Sequence, residues 1–293
     1  MLEELTYFSL TGAVIIFIYG ALIGSFLNVV IYRLPLERSI VFPGSACGTC
    51  GTPLSWWENI PIFSYFILGG RCRTCGSSYS IRYAFVELIT ALAAAGLYYY
   101  FDGLNAVSVY GFIFYCLLLV VFFTDIDHWI ILDSVSIGGT AVGLIGSVFI
   151  PLRSDLSILG FELLPSFVSA SLSEDSLWYN VISSLYGIVL SAGFFWAIQV
   201  VGGWIIRQEA MGTGDIKLAA MIGAFLGWHL GIISFLMSFV LGAAVALIMM
   251  LVSGKRGRDP IPLGTFMSIC AFCCFIWKDE IINFVLNWPS YFY

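Results

Sequence analysis

Long apolar runs separated by short polar stretches dominate this chain. Eight runs reach or approach the roughly 20 residues needed to span a bilayer: about 8–31, 82–101, 106–124, 134–151, 180–203, 214–228, 230–253 and 262–277. The sixth and eighth are short enough to be tilted, broken or partly inserted. The pattern predicts an all-α polytopic membrane protein of about eight transmembrane helices. One polar stretch is long, residues 33–81 between the first two helices. A second, at 152–179, is Ser-rich and acidic and is expected to be an outward-facing loop or surface helix.

Composition supports this reading. The 293 residues are 60% hydrophobic and 10% charged, where a soluble domain carries about 25% charged residues. The first run lacks a basic leader region and an A-x-A-like cleavage site, so it reads as a retained helix. With a net charge of −6 and no basic stripe, nucleic acid is not an expected partner. Membrane lipid is.

Charge also predicts orientation. Lys and Arg favour cytoplasmic loops. Arg33, Arg38, Arg71, Arg73, Arg82, Arg207, Lys217, Lys255, Arg256 and Arg258 fall on one side of an eight-span chain, and only Arg153 and Lys278 on the other. Both termini are therefore expected outside and the 33–81 loop in the cytoplasm.

That loop carries Cys47, Cys50, Cys72 and Cys75 in the spacing C-x2-C-x21-C-x2-C. Cytoplasmic thiols stay reduced, so two such pairs read as a Zn²⁺ site rather than two disulfides. Four thiolates complete a tetrahedron, which makes the site structural and closed. Gly48, Gly51 and Gly76 are expected to ease the backbone around the knuckles. A redox pair is the rival reading, but neither C-x-x-C opens a helix in a βαβ pattern. Cys116, Cys270, Cys273 and Cys274 lie in apolar runs and read as packing residues.

Ionisable residues at membrane depth are functional candidates. Asp125 ends the third apolar run, with Asp127 two residues on and Asp133 beyond. Two residues of helix rotate a side chain by about 200°, so Asp125 and Asp127 cannot aim at one point. Asp215 follows Gly212 and Gly214 and opens an apolar helix that also carries Lys217. Two carboxylates meeting at a membrane boundary can share one proton, one acting as base and the other as acid in peptide hydrolysis. The bland alternative makes them a loop residue and a helix cap, and a proton-coupled transporter is the functional rival. Glu87 in the second run reads as a bonded structural acid. His128 and His229 lack a partner at the helical spacing of a metal pair.

Four segments together resemble the bacterial type IV prepilin peptidases, prepilin leader peptidase/N-methyltransferases of the GxGD aspartic protease type. They are residues 24–35, the cysteine loop through Glu58-Asn59-Ile60-Pro61 to Arg82-Tyr83, the run 125–133, and Gly212-Thr213-Gly214-Asp215. The resemblance implies catalytic Asp125 and Asp215, with Gly212, Gly214, Asp127, Asp133 and Lys217 supporting them. The family usually has proline before the third acid of that run; here Leu132 precedes Asp133. The resemblance further implies a multi-pass protein of the bacterial inner membrane. Its substrates would be type IV prepilins or type II secretion pseudopilins, cut after Gly to release a basic leader. The new N-terminus would then be methylated from S-adenosylmethionine. A basic leader would be steered by the acidic rim of Asp125, Asp127, Glu209 and Asp215.

The implied organisation is a first transmembrane helix at 1–32, a methyltransferase-associated four-cysteine zinc-binding insertion at 33–81 and a peptidase domain at 82–293. No G-x-G-x-x-G follows a strand, so no Rossmann-type site is expected for the methyl donor. Glu58, Asn59, Arg71 and Arg73 are candidates to contact it. Against that, Glu58-Asn59 also reads as a turn cap, and the arginines as lipid-phosphate contacts. A peptidase without methyl transfer and a non-catalytic scaffold for pilus assembly remain alternatives.

Overall fold

A computed structural model describes residues 2–150, 177–207, 211–253 and 262–287. Most of the segment 152–179, together with Arg153, Glu209, Lys255, Arg256 and Arg258, lies outside the described residues. Most of those described are helical, with two isolated β-bridges and no strand among them. Helix is what lipid demands, because it satisfies backbone N–H and C=O groups within the segment.

The helices are α1 (Leu2–Arg33), α2 (Phe63–Ile67), α3 (Arg82–Tyr100), α4 (Ala106–His128), α5 (Asp133–Gly146), α6 (Leu177–Ile206), α7 (Thr213–Ser253), α8 (Leu263–Ile276) and α9 (Lys278–Asn287). Five stretches are long and apolar enough to cross a membrane: Leu10–Leu36, Arg82–Tyr100, Ala106–His128, Asn180–Ile205 and Thr213–Val252. The last of these accounts for two of the runs expected from sequence. It breaks at Gly227, whose backbone (φ 71°, ψ 179°) no helix accommodates. That conformation is open to glycine and strained for other residues.

α5 and α8 have 14 residues each, about 21 Å of helix against a hydrocarbon core of about 30 Å. The apolar run extends to residue 151, but α5 ends at Gly146. There Val148 and Phe149 donate to the carbonyls of Ile145 and Gly146 in tighter turns.

The chain divides into two compact units, Met1–Cys116 and Leu117–Tyr293. In the first, α1 packs on α3 through small residues. A Cβ at Gly24 would lie 2.8 Å from Glu87 Cα, so only glycine permits this approach. Asn28 Nδ2 donates to the Tyr83 carbonyl at 3.0 Å across the same seam.

In the second unit, α6, α7 and α8 surround fully buried Phe195, Met221, Ile222, Phe225, Phe235 and Met267. Phe195 and Phe235 meet edge to face at 4.8 Å, a favoured aromatic geometry. Ser184 Oγ donates to the Ala224 carbonyl at 2.9 Å, tying α6 to α7. Large side chains left outside these contacts, such as Trp204 and Val252, suit a lipid surround.

Candidate active site and cysteine cluster

Asp125 lies in the last turn of α4 and is buried, while Asp127 is exposed. This is the divergence that two residues of helix impose. Asp125 Oδ2 accepts the backbone N–H of Thr265 at 2.8 Å and the Thr265 hydroxyl at 3.2 Å. Both donors come from the first turn of α8, where backbone N–H groups lack intrahelical partners. Gly264 makes the approach possible: a Cβ there would lie 3.0 Å from both Asp125 Oδ2 and Ile131 Cδ1. Neither Gly264 nor Thr265 stands out in the sequence. The available signal is a polar residue after glycine, just behind Pro262, at the head of an apolar run.

Asp215 sits in the first turn of α7. Its carboxylate accepts the Gly212 backbone N–H and is near enough to Asp125 to feel its charge. Gly214 packs against Ile131, with a would-be Cβ 3.0 Å from Ile131 Cβ. One side chain, Ile131, thus fills the space against Gly214 on α7 and Gly264 on α8. The two glycines of Gly-x-Gly-Asp have separate uses, one as donor and one as a flat surface.

Lys217 and Asp133 form an ion pair, with Lys217 Nζ 2.6 and 2.7 Å from the two carboxylate oxygens. Asp133 opens α5, where a negative charge is favoured by the helix dipole. Leu132, in the place where the resemblance expects proline, has φ −72° and ψ 126°. That is proline's own φ range, so the turn keeps its shape without the ring.

In the loop, the four cysteine sulphurs all lie within 4.8 Å of one another. Cys47 and Cys75 are 3.8 Å apart, and Cys50 and Cys72 3.9 Å. Zinc–sulphur bonds of about 2.3 Å at tetrahedral angles require about 3.8 Å between sulphurs, so the four thiolates fit that ion. The two knuckles repeat each other. Gly51 and Gly76 N–H groups donate to Cys47 and Cys72 carbonyls at 2.9 Å each, and Cys47 and Cys72 N–H groups donate to Thr52 and Ser77 carbonyls. Gly51 and Gly76 have φ of 71° and 70°, which favours glycine. Gly48 has no such conformation, and its counterpart in the second knuckle is Arg73.

Backbone N–H groups of Cys50 and Thr49 and the Ser77 hydroxyl pull the Cys47 thiol down to about 5. Cys75 is lowered by the hydroxyl and N–H of Ser77. At Cys72 the N–H groups of Cys75 and Thr74 pull down, but burial and the neighbouring sulphurs outweigh them and the thiol ends raised.

Glu58 completes a capping box: its Oε2 accepts the Ser55 N–H at 2.8 Å, and Oε1 lies 3.4 Å from Arg73 Nε. The Ser55 N–H first, and the Arg73 charge further, hold the Glu58 carboxyl below its usual range. Arg73 also lies over the Trp57 ring, 5.3 Å from its centroid. Glu58 and Arg73 therefore tie the capped turn to the second knuckle. Asn59 is exposed at the end of that turn, and Arg71 is exposed and forms no ion pair with them.

Residues 18–101 match the bacterial peptidase A24 N-terminal domain, and residues 112–247 the type IV leader peptidase family. The chain belongs to the type IV leader peptidase family. A prepilin leader peptidase/N-methyltransferase of Pseudomonas aeruginosa is 30% identical over 319 aligned positions, covering 99% of both chains. Its counterpart in Myxococcus xanthus is 37% identical over 253, covering 86% of this chain and 67% of that protein. That of Aeromonas hydrophila is 31% identical over 309, covering 96% and 94%. No solved structure matches the chain. As a member of this family with several membrane-length apolar helices, it is a multi-pass inner-membrane enzyme acting on prepilin-type proteins.

Proposed function

We propose that the protein cleaves the leader from type IV prepilins or type II secretion pseudopilins and then methylates the exposed N-terminal amine. The observation that carries the peptidase reading is the pair Asp125 and Asp215, drawn from two helices and close enough to interact electrostatically. Thr265 and Gly212 each fix one of them by a backbone N–H.

In this mechanism the dyad shares one proton. The ionised aspartate takes a proton from water as the water oxygen attacks the scissile carbonyl carbon. The protonated one donates to the carbonyl oxygen. Collapse of the tetrahedral adduct then breaks the C–N bond, and the leaving amine regains a proton. Ile131 and the two glycines pack the floor of this site. Asp127, at the exposed rim, would help attract a basic leader.

The names of the relatives support the second activity. S-adenosylmethionine supplies the methyl group; we assign its use to the 33–81 insertion and the peptidase chemistry to 82–293, behind a first transmembrane helix at 1–32. The four cysteines would hold Zn²⁺ and keep the insertion folded. The bias of Lys and Arg supports a cytoplasmic face for this loop and the aspartates, with membrane lipid around the helices. The experiment is to incubate purified protein with a prepilin and labelled S-adenosylmethionine. Mass spectrometry should find a mature chain lacking the leader and carrying one methyl group. An uncut chain refutes the peptidase reading, and a cut, unmethylated one the second activity.

A further inference from the structure

Two segments that carry the family resemblance, 24–35 and 58–61, belong to the first unit, whereas Asp125 and Asp215 belong to the second. In the first unit they line one cleft of about 290 Å³, with Ser25, Phe26 and Arg33 on α1 and Val41, Ser45 and Asn59 on the loop.

The walls of this cleft are held by specific bonds. The Arg33 guanidinium donates to the carbonyls of Ser39 (3.1 Å), Pro43 (2.8 Å) and Gly44 (3.2 Å), folding residues 39–44 against the end of α1. These acceptors are neutral, and no carboxylate pairs with Arg33 among the described residues. Among those residues its charge is uncompensated, and two of its five N–H donors are unused. The other wall is pinned from α3. Buried Glu87 accepts the Ile62 N–H at 2.6 Å, and Phe63 N–H donates to the Pro61 carbonyl at 2.7 Å. Ile62 sits at φ 66° and ψ −57°, a strained conformation for a β-branched residue. Such strain persists where the surroundings over-determine it, characteristically beside binding sites. Ser25 also hydrogen-bonds the Glu87 carboxylate, so one buried acid fastens the helix wall and the loop wall.

We propose that this cleft binds the carboxylate-bearing amino-acid end of the sulfonium methyl donor, with Arg33 holding the carboxylate. The inference rests on the methylation reading above. An uncompensated guanidinium selects an anion, and its planar fork matches a carboxylate. Asn59 and Ser45 add neutral polar groups, and Phe26 and Val41 an apolar side. The volume is at the low end for small-molecule sites and suits one end of the donor rather than the whole. The competing occupant is the phosphate of an anionic lipid, since Arg33 ends a membrane-length helix.

The test uses full-length protein in phosphatidylcholine nanodiscs, with and without phosphatidylglycerol. Equilibrium dialysis compares S-adenosylhomocysteine, which keeps the amino-acid end, with methylthioadenosine, which lacks it. Wild type should prefer the former. Arg33→Gln should weaken that binding by about tenfold or more and erase the preference, with Arg33→Lys partly restoring it. Asn59→Ala, less exposed to misfolding, should weaken the same ligand. Trp56→Ala, in the same loop but off the cleft, should bind as wild type, and zinc content reports that each variant is folded.

If wild type binds and all cleft variants bind equally, the cleft assignment is wrong while methylation stands. If Arg33→Gln changes only the response to phosphatidylglycerol, the site is a headgroup site and the proposal falls. If wild type binds neither ligand and transfers no methyl group, the methylation reading fails and takes this proposal with it.

Discussion

Lys217 Nζ is held between both carboxylate oxygens of Asp133, at 2.6 and 2.7 Å. The pair ties the start of α5 to the first turn of α7, two residues beyond Asp215. Both side chains are partly exposed, 35% and 61%, so the pair itself contributes less than about 1 kcal/mol to stability. Its value is in position. Lys217→Met should lower kcat for leader cleavage by about tenfold, equivalent to about 1.4 kcal/mol in the barrier, with little change in thermal midpoint. Kinetics and thermal unfolding on one preparation check this. Equal losses of activity and stability would make the pair merely structural.

Leu132 occupies a proline-like backbone, and its N–H donates no hydrogen bond among the described residues. Leu132→Pro should therefore retain cleavage and raise stability by about 0.4–1 kcal/mol, by restricting the unfolded chain. A lowered thermal midpoint would show that Ile131 cannot adopt the extended backbone that a following proline requires.

The helical architecture and the cysteine site are legible in the sequence because each has a local signature: apolar runs in the one, paired thiols flanked by glycine in the other. The divergence of Asp125 from Asp127 follows from helix geometry alone. Three things are not legible. Gly227 breaks a continuous apolar run, and a glycine in such a run says nothing about its φ. The Lys217–Asp133 pair and the two Thr265 donors are long-range contacts, 84 and 140 residues apart, and no periodicity encodes a partner at such distance. The pairing of Arg73 with Glu58 is the third, because the two knuckles must first fold to bring the arginine there.

At the head of α8 the effects of two substitutions should differ in order. Thr265→Val removes the 3.2 Å hydroxyl bond to Asp125 and keeps the 2.8 Å N–H bond, so cleavage should fall only several-fold, about 1 kcal/mol. Gly264→Ala forces a methyl group against Asp125 Oδ2 and Ile131 at 3.0 Å and should cost more, about tenfold or beyond. Steady-state cleavage of a prepilin by the two variants gives the ranking, and the reverse order would show that Gly264 has room to spare.

Zinc affinity should fall as pH falls. Thiolates bind the ion and protons compete for them. Cys47, lowered to about 5, stays ionised throughout the neutral range, whereas Cys72, raised above its ordinary value, must release its proton on binding. Competition against a chelator at pH 6, 7 and 8 should show one or more protons released and weaker binding at pH 6. Cys72→Ser should lose the ion and methylation. A pH-independent affinity, or a zinc-loaded Cys72→Ser protein, would contradict a four-thiolate site.

The central claim is that Asp125 and Asp215 act as one catalytic unit. The direct measurement is the single-turnover rate of prepilin cleavage by Asp125→Asn, Asp215→Asn and the double variant. Members of one unit are strongly non-additive, so each single variant should lose about a thousandfold or more and the double variant should fall no further. A single variant that still cuts at near wild-type rate, or a double variant whose loss is the product of the two single losses, would contradict the dyad.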